Sequence, residues 1–276
     1  MNLFLISISA ENRVPSRTLE LIQIVKKHGR FRIFGVDFRE KTHGDIYDEY
    51  SLEIAEFIVG GPILPGELGC LQSHQMAYQY IVENNISDAV IIEDDALINT
   101  SIEELNKILE SCRNSKFDLV NLHPDRGGVM IGSRGDNLLR SLVPSLSAFS
   151  YWISFNGARR MLSRIEMPLG LADWPVQILK IKSAGTTQNY FAHSGENNST
   201  IKASQNITAN TRLSIFYRPF LSFFNIRSLR LTSLLIVKIG FLSTLKAILL
   251  MRTYRRLGKL FNKSILSDNS TVKIYL

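Results

Sequence analysis

Short apolar runs alternate with segments of helical periodicity from residue 2 to residue 194. The apolar runs, typical of buried strands, lie at 2–8, 30–37, 89–92, 117–122, 148–154 and 186–194. Helical spacing predicts helices at 16–29, 52–58, 66–85, 101–112, 156–165 and 172–185. Strands joined by crossover helices predict an α/β fold with a mostly parallel sheet and helices on both faces. Ligands of such sheets gather at the carboxyl ends of the strands.

Two stretches interrupt this pattern. Residues 38–65 are less regular and end in the breaker GGPILPG. Residues 123–144 carry six glycines or prolines and mixed charge, which predicts a mobile loop.

Three carboxylates follow one of the apolar runs directly, in the sequence AVIIEDDALI at 89–98. Glu93, Asp94 and Asp95 repel one another when they lie side by side. A divalent cation bound there would offset this cost. An acidic turn that only keeps a strand end soluble is the alternative, and the residues alone leave both interpretations open.

The chain length of 276 residues suits one large domain, or one domain with an appendage. The N-terminal sequence MNLFLISISAENRV predicts a first strand and not a signal peptide, because no basic segment precedes its short apolar run. Cys70 and Cys112 lie in apolar surroundings, which favours thiols in a reducing cytoplasm. Without a C-x-x-C pair or clustered His and Cys, the sequence argues against a structural zinc site.

Charge divides the chain into an acidic body and a basic tail. Residues 197–267 contain twelve Lys or Arg and no Asp or Glu. The total charge is +7 and residues 268–276 carry one charge of each sign, which leaves −5 on residues 1–196. This asymmetry indicates an anionic partner of the tail, either a membrane or a nucleic acid.

The tail is hydrophobic but is interrupted by basic residues. Arg230, Lys238 and Lys246 recur every eight residues, and the uncharged runs within 228–263 reach only seven residues. A spanning helix needs about 20 apolar residues, so an amphipathic helix in the membrane interface fits better. A basic helix packed on the body is the alternative, and nucleic-acid binding is the weakest interpretation. We therefore divide the chain into an α/β body domain, 1–205, and a helical region expected to associate with a membrane, 206–276.

Six sequence pieces together resemble glycosyltransferase family 25, the lipooligosaccharide galactosyltransferases and their collagen-modifying relatives. In chain order they are LISI with the following Arg13, GELGCLQSH (66–74), VIIEDD (90–95), SYWISFNGARRML (150–162), ADWP (172–175) and SGENNSTI (194–201). The resemblance implies a GT-A-type, Rossmann-like fold and inverting sugar transfer from a nucleotide sugar, typically UDP-galactose. It also implies that Glu93–Asp95 stand at the D-x-D position of that fold, although Glu replaces the first Asp.

On this basis Asp95 is assigned to a Mn²⁺ or Mg²⁺ ion, since hard carboxylate oxygens suit such a cation beside a diphosphate. Strand alternation places Glu93 and Asp95 on one face, and Glu93 and Asp94 are assigned to ribose or sugar hydroxyls. The resemblance implies that His193 is a further ligand of the metal or diphosphate, although a surface histidine is the alternative.

Other residues are assigned to the donor through the same resemblance. They are Ser7, Arg13, Asp37, Gly66, Glu67, His74, Asn198 and Ser199. Arg13 and Asp37 could equally be surface residues, and His74 could be structural. Gly66 and Gly69 are expected to permit close backbone approach, although turn glycines are the alternative.

Inverting transfer needs a base that deprotonates the acceptor hydroxyl. Asp173 in ADWP is the candidate, with Trp174 as a neighbour that could stack on a sugar. An Asp directly before a helix is also an ordinary N-cap, and the two roles are compatible.

The expected acceptor is the lipid-linked core of a lipooligosaccharide or lipopolysaccharide, and no nucleic-acid partner is expected. The expected location is cytoplasmic, peripheral on the inner face of a bacterial inner membrane. One alternative is a transferase that uses another UDP-sugar or acceptor. A metal-dependent phosphohydrolase is a second alternative, but such an enzyme would need several spaced Asp and His residues. A non-catalytic membrane scaffold is a third alternative, and it leaves the acidic triplet unexplained.

Overall fold

The structure is a computed structural model, and the part of the chain that it describes comprises eleven stretches. These are residues 1–9, 11–12, 14–50, 52, 56, 62–123, 129–131, 137–143, 148–162, 181–194 and 272–274. Four predicted site residues, Arg13, Asp173, Asn198 and Ser199, lie outside the described residues. So do nearly all of the tail and most of the short helix predicted at 52–58.

A nine-stranded sheet forms the centre of the fold. Its strands are β1 (Asn2–Ile6), β2 (Arg30–Phe34), β3 (Asp88–Glu93), β5 (Leu119–Asn121), β6 (Val129–Ile131), β7 (Leu138–Val143), β8 (Ser150–Ser154), β9 (Ser183–Thr186) and β11 (Val272–Ile274), in the order β11-β6-β7-β9-β5-β8-β3-β1-β2. Six of the nine, β1, β2, β3, β5, β6 and β9, run in the same direction. The predicted α/β fold with a mostly parallel sheet is therefore confirmed.

Helices cover both faces of this sheet. They are α1 (Ser16–His28), α2 (His43–Glu49), α3 (Pro65–Glu83), α4 (Ile102–Arg113) and α5 (Phe155–Leu162). Helices α1 and α4 share one apolar cluster with the sheet, while α3 and α5 share another. The Ser101 hydroxyl accepts a hydrogen bond from the Glu104 amide and caps α4, as the sequence predicts.

Strand β3 is buried on both faces, which explains its continuous apolar sequence. Val90 and Ile92 pack into the cluster with α1 and α4, and Ala89 and Ile91 pack into the cluster with α3 and α5. Parallel pairing with β1 runs from Leu3 opposite Val90 to Ile6 opposite Glu93. The core thus fixes the direction and the end point of the strand that carries the acidic triplet.

A two-stranded ribbon lies beside the end of β3. Strand β4 (Ala96–Ile98) pairs antiparallel with β10 (Phe191–His193). The Thr18 hydroxyl on α1 donates to the Ala96 carbonyl at 2.7 Å and accepts from the Ile98 amide at 3.0 Å. Helix α1 thereby holds the ribbon next to the carboxylates.

Four sequence predictions require correction. The predicted loop 123–144 contains all of β6 and β7, because residues 138–140 pair with β9 and residues 140–143 pair with β6. Residues 183–185, predicted as the end of a helix, belong to β9 (183–186), since its small side chains fit between β5 and β7. Strand β2 ends at Phe34 and not at Asp37, and the irregular 38–65 stretch contains α2.

The tail contributes one described element. Strand β11 pairs antiparallel with β6 at the edge of the sheet, although the sequence predicts a helical region there. Among the described residues, none of the helices combines the length and apolar character needed to cross a membrane.

Candidate functional site

The carboxyl ends of β1, β3 and β5 lie at one edge of the sheet, because these strands share one direction. Ser7 directly follows β1, and the acidic triplet begins at the last residue of β3. His123 follows β5 by two residues. Residues from distant parts of the sequence therefore meet where an α/β sheet binds ligands.

Glu93 faces helix α3. Its Oε1 lies 3.3 Å from Nε2 of His74 and 3.7 Å from Sγ of Cys70. His74 is 1% exposed, and its Nδ1 lies 2.7 Å from the Tyr151 hydroxyl, which lies 2.7 Å from that of Tyr78. Burial raises the pKa of both tyrosines, which keeps their hydroxyls protonated.

Asp94 faces β1. The buried Ser7 hydroxyl donates a 2.7 Å hydrogen bond to Oδ2 of Asp94. The same hydroxyl oxygen accepts from the Ser9 amide, and the Ser7 amide donates to the Phe34 carbonyl. Backbone bonds to neighbouring segments thus fix the group that orients the Asp94 carboxylate.

Asp95 faces the ribbon strand β10. Its Oδ2 lies 3.2 Å from Nδ1 of His193, and its carbonyl accepts from the Ser194 amide. The His193 ring stacks on Phe149 with the ring centroids 4.0 Å apart. The aromatic contact and the backbone bond hold the carboxylate and imidazole beside each other.

The strand alternation expected from Glu93 to Asp95 does not extend through the triplet. Strand β3 ends at Glu93, and Asp94 and Asp95 form a turn into β4. Glu93 and Asp95 consequently contact different elements, α3 and β10, instead of sharing one face.

Asp95 and His193 fit a hard divalent cation. Oδ1 of Asp95 is buried and has no hydrogen-bond partner in the described part of the chain, although buried carboxylate oxygens are ordinarily bonded. A carboxylate with an imidazole is a donor set that Mn²⁺ accepts, and Mg²⁺ accepts the carboxylate. A cation at Oδ1 would satisfy this oxygen.

The motif GELGCLQSH places Gly69 and Ser73 on one face of α3, and Cys70 and His74 on the neighbouring face. The Ser73 hydroxyl accepts from the Val36 amide, and a Cβ at Gly69 would lie 2.6 Å from the Val36 carbonyl oxygen. The close approach predicted for Gly69 is therefore present. One residue further along, Cys70 and His74 face Glu93.

Three predicted donor residues make other contacts. Asp37 is exposed and accepts from the Arg39 side chain, whose hydrogen bonds lower the pKa of the Asp37 carboxyl. Glu67 accepts from the Leu64 amide at the start of α3, and Gly66 lies in the first turn of that helix. The contacts of Asp37 and Glu67 stabilise the local backbone, and the assignment of all three residues to the donor stays a prediction.

Sequence reasoning did not select Cys70, Tyr151 or His123. Cys70 and His74 have the i, i+4 spacing of residues on one helix face, which could have paired them. His123 follows a strand end and bonds through Nδ1 to the Phe191 carbonyl, with its ring 5.8 Å from that of His193. Tyr151 lies inside an apolar strand, and its sequence context carries no signal of its contact with His74.

Comparison with known proteins identifies sequences that are similar over about two fifths of the chain. Procollagen galactosyltransferase 1-B of Xenopus laevis is 29% identical over 119 residues, which cover 40% of this chain and 19% of that protein. Procollagen galactosyltransferase 1 of Danio rerio is 28% identical over 111 residues, or 37% of this chain and 18% of that protein. The chain therefore matches less than a fifth of the length of these relatives.

Two solved structures resemble the chain weakly. Mannose-1-phosphate geranyltransferase from Thermus thermophilus has a TM-score of 0.37 and 10% identity, covering 70% of this chain and 74% of that one. A197 from STIV has a TM-score of 0.35 and 11% identity, covering 69% and 83%. Neither likeness carries an argument at these scores.

The family model of glycosyltransferase family 25, described as an LPS biosynthesis protein, matches residues 1–125. This region includes β1, the GELGCLQSH motif, the acidic triplet and β5. The first 125 residues of this chain are therefore similar to glycosyltransferase family 25.

Proposed function

We propose that the chain is a metal-dependent glycosyltransferase that moves galactose from UDP-galactose to a core sugar of lipooligosaccharide or lipopolysaccharide. The family match over residues 1–125 and the similarity to proteins named procollagen galactosyltransferases support transfer of a sugar, with galactose as the first candidate.

The convergence of Ser7, the acidic triplet and His193 at one edge of the sheet is the observation that carries this proposal. A sugar nucleotide presents ribose and sugar hydroxyls beside a diphosphate. Asp94, oriented by Ser7, is suited to accept hydrogen bonds from such hydroxyls. Glu93 keeps partial exposure and can do the same from the neighbouring position.

Asp95 and His193 would hold Mn²⁺ or Mg²⁺, which, when bound, neutralises charge on the departing diphosphate. The hydrogen bond from the Ser194 amide and the β4–β10 ribbon fix the backbone of Asp95, and thereby the position of its carboxylate. The buried and unpartnered state of Oδ1 within the described residues supports the assignment of Asp95.

Inverting transfer requires a base on the acceptor side of the donor sugar. We assign this role to Asp173, in the ADWP motif, and assign Arg13, Asn198 and Ser199 to the donor site. All four lie outside the described residues, and the family resemblance of their motifs supports these assignments.

The tail provides the basis for proposing a lipid-linked acceptor. Residues 1–205 would form the catalytic domain, and residues 206–276 would hold it on the anionic cytoplasmic face of an inner membrane. The twelve basic residues at 197–267 support this location, since each basic residue near an anionic surface contributes about 1 kcal/mol.

The test is to incubate the full-length chain with UDP-galactose and Mn²⁺, with or without a lipooligosaccharide core acceptor. We expect UDP release that the acceptor stimulates, together with galactosylated acceptor in the mass spectrum. UDP-glucose and UDP-N-acetylglucosamine in parallel reactions identify the sugar. Release of inorganic phosphate without sugar transfer would instead indicate a phosphohydrolase, and inertness toward every nucleotide sugar would refute the proposal.

A further inference from the structure

A thiol, an imidazole and a carboxylate converge where helix α3 meets the end of β3. They belong to Cys70, His74 and Glu93, and their ligand atoms all lie within 4.8 Å of one another. The Asp95–His193 pair lies on other elements, because Asp95 directly precedes β4 and His193 ends β10. The two groups of potential ligands are therefore separate.

Helix geometry brings two of the three residues of this cluster together. Cys70 and His74 are four residues apart on α3 and consequently lie on one face, one turn apart. Glu93 provides the third group, because β3 ends opposite that face. A search of the sequence for C-x-x-C pairs or clustered His and Cys overlooks such a set, since a strand end supplies one of its members.

Two of the three separations match those between ligands of one tetrahedral ion. Bond lengths to Zn²⁺ of about 2.3 Å for sulfur and 2.0–2.2 Å for nitrogen or oxygen put neighbouring ligand atoms about 3.4–3.6 Å apart. The observed separations from Oε1 of Glu93 are 3.3 Å to Nε2 of His74 and 3.7 Å to Sγ of Cys70. A cation could therefore enter with small side-chain adjustments.

The surroundings of His74 can hold the tautomer that a metal ligand needs. Its Nδ1 contacts the Tyr151 hydroxyl, which also contacts Tyr78. Each phenol can donate or accept, so Tyr151 can accept the Nδ1 proton and leave the Nε2 lone pair facing Glu93. Ligating histidines ordinarily bond their second ring nitrogen in this way.

We propose that Cys70, His74 and Glu93 form a second cation site, selective for a thiophilic divalent ion such as Zn²⁺. The thiolate favours Zn²⁺ over Mg²⁺, whereas the carboxylate at Asp95 favours the harder ions. Three protein ligands leave the fourth position of a tetrahedral ion to water or to a bound molecule. This inference goes beyond the proposed function. Its test does not depend on whether the chain transfers sugar.

Cobalt(II) is the probe that reports sulfur ligation directly, because thiolate-to-cobalt charge transfer absorbs in the near ultraviolet. We expect titration of the reduced full-length chain to give such a band that saturates at one equivalent, and Zn²⁺ to abolish it by displacement. Millimolar Mg²⁺ should leave it unchanged. Cys70→Ser should eliminate the band, and His74→Gln should weaken binding at least tenfold.

The second cysteine provides a matched control. Cys112 is buried in the apolar core of α4, and burial raises the pKa of its thiol to about 12. The band should therefore persist in Cys112→Ala. Tyr151→Phe removes only the hydroxyl that contacts Nδ1, and loss of such an outer contact should reduce cobalt affinity about tenfold or more.

A measurement on the wild-type chain avoids dependence on how the variants fold. Iodoacetamide alkylation with mass spectrometry should modify Cys70, and one equivalent of Zn²⁺ should slow that modification at least tenfold. Absence of a cobalt–thiolate band in the wild-type chain would refute the site, as would a band retained in Cys70→Ser. Zinc that leaves the alkylation rate of Cys70 unchanged would contradict the proposal independently.

Discussion

Asp95 and His193 are 98 positions apart in the sequence, yet Oδ2 of one lies 3.2 Å from Nδ1 of the other. The pairing of β4 with β10 brings them together, since Ala96 lies opposite His193 in that ribbon. The ribbon therefore couples the end of the central strand to a segment that follows β9. The ribbon thereby places the imidazole of His193, which lies outside residues 1–125, next to the acidic triplet.

His193→Ala should raise the Mn²⁺ concentration needed for half-maximal transfer at least tenfold, since even the loss of an outer contact of a metal ligand lowers metal affinity about 10–100-fold. His28→Ala is the matched control, because His28 is exposed at the end of α1. Equal metal requirements in both variants would show that His193 only packs on Phe149.

Asp173→Asn should lower turnover by about 10² or more, the scale expected for a lost general base. Asparagine keeps the size and much of the capping ability of aspartate but cannot take the hydroxyl proton. Donor affinity, measured by calorimetry with UDP-galactose, should stay near the wild-type value. A parallel loss of affinity and rate would instead make Asp173 a structural or donor-binding residue.

Gly69→Ala should destabilise the fold by about 1–3 kcal/mol, the usual cost of overpacking. The added Cβ would lie 2.6 Å from the Val36 carbonyl oxygen, so α3 or the segment after β2 must move. Gly44→Ala on α2 is the control, because its Cβ would approach nothing closer than 3.8 Å. Denaturant unfolding of both variants measures the difference, and equal free energies of unfolding would rule out the close contact.

Much of the fold is predictable from the sequence because its core elements are long and strongly patterned. Strands β1, β3 and β8, and helices α1, α3 and α4, bury continuous or periodic apolar residues. Strands β4 and β10 have only three residues each, and their pairing depends on contacts between distant segments. Strand β10 lies within the strand predicted at 186–194, but β4 and its pairing with β10 carry too little local pattern to be recognised.

The candidate site, like the fold, was predictable only in part. The location of Glu93, Asp94 and Asp95 follows from the end of an apolar strand, and the structure agrees. The directions of their side chains were not predictable, since alternation stops at the turn that begins with Asp94. The partners Cys70 and Tyr151 come from other elements and emerge only when α3 and β8 pack against β3.

The tail should bind anionic membranes through its lysines. Lys238→Glu combined with Lys246→Glu should reduce binding to phosphatidylcholine–phosphatidylglycerol vesicles by tenfold or more, at about 1 kcal/mol per lost basic residue. Lys107→Glu with Lys116→Glu changes the same charge at exposed positions of the body and should have less effect. Full-length chains are used, because β11 pairs with the sheet. Identical sedimentation of both double variants would argue against the tail as the membrane contact.

Transfer from UDP-galactose as a function of Mn²⁺, compared between wild type and Asp95→Ala, tests the central claim most directly. Asp45→Ala on the exposed face of α2 serves as the control for loss of a carboxylate. We expect transfer that EDTA abolishes and Mn²⁺ restores in the wild type and in Asp45→Ala. Asp95→Ala should stay inactive at every Mn²⁺ concentration while keeping the wild-type circular dichroism spectrum. Undiminished transfer by Asp95→Ala, or by the wild type in EDTA, would contradict the account.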